Sequence, residues 1–127
     1  MHAGTLVGDH TTSSFIVELD KDINIYFTGT SLPCISLFKY FKFNSEIDYP
    51  ISINIDKTYW YKQELIKRKT MFNKIPEEYI KLRDKYQNEI ISKKLNLKKS
   101  LEYENKLNKI LISSNEKLKT GIYYKLY

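Results

Sequence analysis

Ser14-Phe15-Ile16-Val17-Glu18-Leu19-Asp20-Lys21-Asp22-Ile23-Asn24-Ile25-Tyr26-Phe27-Thr28 is the stretch that decides the fold. Two runs rich in β-branched and aromatic side chains flank the polar link Asp20-Lys21-Asp22. Such side chains suit a pleated, half-buried surface, and short acidic links suit turns. The pattern predicts an antiparallel hairpin.

Beyond it, Gly29 and Pro33 punctuate the chain, one permissive in φ and the other fixed. Ile35 to Phe43 reads as either a further strand or an extended segment, and residues 44–55, with Pro50, as a connecting loop. The second half changes period. Asp56 or Thr58 can cap a helix start. Tyr61, Leu65, Arg68 and Phe72 then fall on one stripe of a 3.6-residue repeat, with Glu64 four residues before Arg68 in the favourable order. Ile75-Pro76 ends that helix, and Pro76 with Glu77 and Glu78 suits the start of the next. Tyr79, Leu82, Tyr86 and Ile90 form a second stripe, and Leu97, Leu101, Leu107 and Leu111 a less regular third. Gly121 precedes an aromatic tail, Ile122 to Tyr127, read as a last strand or a packed extension. The predicted class is α+β: a β-rich segment over 1–55 with strands in 10–43, and a helical segment over 56–127 with helices in 57–112. Together they make one partial domain.

At 127 residues the chain can enclose one core, and 42% hydrophobic content is too high for a disordered polymer. The apolar runs are only a few residues long, so neither a membrane span nor a secretory signal is expected. A lone cysteine, Cys34, permits no internal disulfide and fits a cytoplasmic protein. The net charge of +6 divides into −4 over residues 1–56 and +10 over 57–127. A basic half can mark a nucleic-acid or acidic-protein partner, so a non-enzymatic binding module is the alternative reading. The lysines are dispersed rather than clustered, which favours solvated helix faces, and no nucleic-acid partner is expected. Tyr59-Trp60-Tyr61 also invites a base-stacking role. On a helix the three rings point around more than one face, which suits packing onto a sheet.

Thr28-Gly29-Thr30-Ser31-Leu32-Pro33-Cys34-Ile35-Ser36-Leu37-Phe38-Lys39 follows Asp9-His10-Thr11-Thr12-Ser13-Ser14-Phe15-Ile16-Val17 by ten residues. Together they resemble the late β region of the secernin-like dipeptidases, cysteine hydrolases of the N-terminal-nucleophile class related to bacterial dipeptidase A. Met1-His2-Ala3-Gly4 resembles the element opening that region. Tyr59-Trp60-Tyr61-Lys62-Gln63-Glu64-Leu65-Ile66-Lys67-Arg68 is similar to a family segment in which paired aromatics precede His-Glu, although Gln63 stands where the histidine is common. Arg83-Asp84 resembles a recurrent pair of the family tail. The resemblance covers most of residues 1–112.

It implies the C-terminal part of an αββα sandwich and hydrolysis of a dipeptide through an acyl-cysteine. The family nucleophile is an N-terminal cysteine whose own α-amine can act as base. This chain begins Met1-His2, so no catalytic residue is assigned and the isolated polypeptide is expected to be inactive. His2, Thr11, Thr12 and Ser13 are candidate cleft contacts. Cys34, in a largely apolar run, is expected to be a buried packing residue. His2, His10, Asp9 and Cys34 match no metal-ligand spacing, and neither a metal nor a cofactor is expected. The partners implied are a dipeptide substrate in the intact enzyme, and an N-terminal half or a second copy. A piece of a two-sheet sandwich should leave a strand edge and an apolar sheet face open to water.

Overall fold

The computed structural model describes residues 13–30, 32–43, 58–70 and 74–115, except for the side chains of Arg68, Lys69 and Asn115. Among them the class is α+β: a three-stranded antiparallel sheet and three helices. The hairpin forms as its alternation predicts. β1 (Ser14–Leu19) pairs with β2 (Ile23–Thr28) in a register that sets Phe15 opposite Phe27 and Val17 opposite Ile25. β3 (Lys39–Lys42) adds to the other side of β2, with Ile25 opposite Phe41 and Phe27 opposite Lys39. The order β1-β2-β3 leaves β1 at an edge. The segment read as strand or extended is shorter as a strand, because a 3-10 turn at Pro33–Ile35 takes its first residue and irregular chain follows over Ser36, Leu37 and Phe38.

α1 (Tyr59–Thr70) is capped by Thr58, whose Oγ1 accepts from the Tyr61 amide at 3.1 Å. Thr58→Ala removes that acceptor and should cost about 1 kcal/mol in urea unfolding. No loss on unfolding would place the cap elsewhere. α2 (Glu77–Lys93) starts one residue after Pro76 and ends where Lys94 turns to φ 47°, returning its amide to the Ile90 carbonyl. Asn96 then opens α3 (Leu97–Asn115), its Oδ1 accepting from the Lys99 amide at 3.0 Å.

Leu32, Ile35, Leu37, Tyr79, Ile90, Tyr103, Leu107 and Leu111 form one buried cluster, with Leu82 and Tyr86 packed against it. The α2 stripe of Tyr79, Leu82, Tyr86 and Ile90 thus faces the core. Of the third stripe only Leu107 and Leu111 are fully buried, and Tyr103 joins them, its ring stacked on Tyr86 at 3.9 Å.

The stripe expected on α1 is corrected. Leu65 is exposed, Tyr61 is half-buried, and neither the Arg68 side chain nor Phe72 is among the described residues. The buried face carries Gln63, Glu64, Lys67 and Thr70 instead. Trp60 is likewise 41% exposed rather than packed. The helix turns its polar side inward because charged groups of β3 and α3 already lie there. The connecting loop 44–55 and the aromatic tail lie outside the described residues.

Candidate functional site

The polar interior begins at Lys39. Pairing with Phe27 places it on the sheet face that meets α3, where no part of the residue reaches solvent. Lys39 Nζ lies 2.6 Å from Glu104 Oε1 and 3.4 Å from the Leu37 carbonyl. Tyr59 Oη donates to the other carboxylate oxygen of Glu104. Both oxygens of a buried carboxylate are thereby engaged, one by an ammonium and one by a phenol. Such pairing is what permits charges in an interior.

A second buried chain of donors runs beside it. Lys67 Nζ donates to Tyr79 Oη at 3.1 Å, and Tyr79 Oη donates to the Ile35 carbonyl at 2.7 Å. Burial is the main reason the Lys67 ammonium is held down, to a pKa of about 8. The Glu104 carboxylate opposes the shift, while Lys39 and Arg83 add to it. Burial also pushes the Tyr79 phenol up, with Glu104 adding to the effect, so Tyr79 stays neutral and keeps its proton for Ile35.

α2 lays a row of side chains along the segment that carries Cys34. Arg83 Nη1 donates to the Cys34 carbonyl at 2.6 Å, and the Gln87 amide bonds both the N–H of Phe38 (2.8 Å) and its carbonyl (3.3 Å). Tyr79, Arg83 and Gln87 recur every fourth residue, so one helical face serves as a substitute strand along 34–38. From the other side, a file of hydroxyls braces the same loop. Ser36 Oγ donates to the Leu32 carbonyl at 3.1 Å, and Thr30 Oγ1 donates to Ser36 Oγ at 2.9 Å. Each hydroxyl has one proton, so the 3.0 Å contact between Thr28 and Thr30 must be donated by Thr28. All three residues are buried. Leu32 itself sits at φ 56°, a left-handed conformation that costs a non-glycine residue about 1 kcal/mol.

This bracing corrects the expectation for Cys34, which is exposed. A 3-10 turn repeats every three residues, so burying Leu32 and Ile35 rotates Cys34 outward. Its thiol is near enough to Lys67 and Tyr79 to bear on their titration. Gln63, which departs from the family pattern, is buried and accepts from Asn108 Nδ2 on α3 at 3.2 Å. Arg83 Nε lies 2.8 Å from Asp84 Oδ1.

Of the candidate cleft contacts, Ser13 is exposed just before β1. His2, Thr11 and Thr12 lie outside the described residues, as do Asp9 and His10. Sequence reasoning missed Lys39, Glu104 and Lys67 as interior groups. Among the described residues no group of three or more histidine, cysteine, aspartate or glutamate side chains is placed to hold a metal. No described helix is long and apolar enough to cross a membrane.

No family model, curated protein or solved structure matches this chain.

Proposed function

We propose that these 127 residues are the C-terminal portion of a secernin-like dipeptidase, contributing a wall of an αββα sandwich while another segment supplies the cysteine nucleophile. The observation that carries this reading is convergence. The motif stretches behind the resemblance meet in one region of the fold: Lys39 from the first and Tyr59 and Lys67 from the second in its polar interior, with Arg83 from the third bonding the Cys34 carbonyl at its surface. Separate stretches that resemble one family are expected to meet in space if they serve one framework.

In the intact enzyme the thiolate would attack the scissile carbonyl, expel the amine of the second residue, and leave an acyl-cysteine for water to cleave. The buried Lys39–Glu104 pair would not touch substrate in that scheme. It would hold the sheet against the helices that flank the cleft. Cys34 cannot replace the nucleophile in the family manner, because its amine is tied up in a peptide bond and cannot act as base. His2, Thr11, Thr12 and Ser13 remain proposed cleft contacts.

Two measurements test the reading. The pure chain, incubated with a panel of dipeptides, should release no amino acids. Turnover that disappears in Cys34→Ala would show a self-sufficient enzyme instead. The native species captured from its source should exceed 15.2 kDa, or travel with a second polypeptide that begins with cysteine. A 15.2 kDa species without a companion overturns the proposal.

A further inference from the structure

β1 is apolar on one face and carries a single apolar side chain on the other, and these side chains are exposed. Phe15 (69% exposed), Val17 (42%) and Leu19 (77%) point to the face that carries Phe41, and Ile16 (55%) to the opposite one. Phe15, Val17 and Leu19 with neighbouring Ile23 form one apolar patch on the order of 400 Å², as large as the largest patch of a typical monomer, and Ile16 stands alone on the other face. Soluble proteins usually guard such an edge with lysine, proline, a bulge or a covering helix. Ser14–Leu19 holds no lysine or proline and pairs with β2 without a bulge, no described helix covers it, and its one charge, Glu18, is turned to Asn24 on β2 at 2.9 Å.

The far side of the sheet differs. There Gln87 bonds the Phe38 backbone and α2 and α3 pack on β3, so that flank is already engaged. One guarded flank and one unguarded flank favour a closed pair over an open fibre.

We infer that two copies of this chain pair through β1, antiparallel about a twofold axis at Ile16, to make one continuous six-stranded sheet. The sequence complements itself in that register. Ile16 meets its own counterpart, Phe15 meets Val17 of the second copy, and Ser14 meets Glu18, where a hydroxyl can donate to the carboxylate. All these pairs join residues of like face, as antiparallel pairing requires. Edge-to-edge pairing gains main-chain hydrogen bonds and the Phe15–Val17 contacts but leaves both sheet faces open, so the area it closes falls short of the roughly 1,000 Å² of a specific interface. The dimer is therefore expected to be weak, with dissociation in the micromolar range.

The inference concerns the chain itself and goes beyond the dipeptidase reading. Sedimentation of the 127-residue protein from low to high micromolar concentration should show a monomer–dimer equilibrium. Ile16→Lys, at a site already exposed, should abolish the dimer with an unchanged circular dichroism spectrum. In a Cys34→Ala background, Ile16→Cys should give a crosslinked dimer on mild oxidation. Three results overturn the inference: a monomer at every concentration, a dimer that survives Ile16→Lys, or larger aggregates without a dimer. If the monomer's β1 amides are protected from hydrogen exchange, the chain's own remaining residues cover the edge. If they exchange freely, the edge is open in the monomer, as the dipeptidase reading requires.

Discussion

Glu104→Ala should destabilise the protein by about 3–5 kcal/mol, because it strands Lys39 as a buried charge without its carboxylate. Neither side chain is more than 2% exposed, and among the described residues the ammonium keeps the 3.4 Å contact to the Leu37 carbonyl and the Tyr59 ring at 5.3 Å, neither of which carries a compensating charge. Tyr59 loses its acceptor at the same time. A domain stable by about 5–15 kcal/mol would come near its unfolding limit. Chemical denaturation gives the size of the loss. The double variant Lys39→Met, Glu104→Leu should recover most of it, since removing both charges leaves no unpaired one behind. A loss below about 1 kcal/mol in Glu104→Ala would mean that water reaches the pair, as at an exposed salt bridge.

Lys67 should have the opposite effect. Its ammonium is held at a pKa of about 8 in the folded chain against an ordinary 10.5. Between those values the unfolded state binds more protons, so stability rises with pH across the window. Below about pH 8 the folded protein carries the full cost of a buried ammonium, about 3 kcal/mol. Above the upper value that cost is gone. Lys67→Met should therefore gain about 2–3 kcal/mol at neutral pH, less whatever the lost bond to Tyr79 contributes. Tyrosines and other lysines also titrate in alkali, but they are common to both proteins. The difference between the wild-type and Lys67→Met stability curves isolates this one group. A difference that stays constant from pH 7 to about pH 10 would refute the assignment.

These two sites show where sequence reasoning stops. The hairpin was legible because its side chains repeat every two residues, and α2 because Tyr79, Leu82, Tyr86 and Ile90 repeat on a helical stripe. Periodicity marks apolar faces, however, and α1 buries a polar one. Nothing local distinguishes Lys67 from the lysines exposed on α2 and α3. Glu104 is further out of reach, since its partner Lys39 stands 65 residues earlier. Cys34 was misread because an apolar run suggests burial, whereas a 3-10 turn sorts its residues by threes. For the cleft contacts His2, Thr11 and Thr12 the geometry is outside the described residues, and Ser13 alone can be placed.

The substitute strand made by α2 also bears on synthesis. Arg83 and Gln87 reach backbone groups 49 residues earlier in the chain. At about 5–20 residues per second, the segment from Cys34 to Phe38 waits several seconds on the ribosome before its cover has been made. Through that interval the nascent chain presents raw sheet edge on both flanks. Slowing translation after Lys42 should lengthen the vulnerable period and increase the share of chain lost to aggregation or held by chaperones.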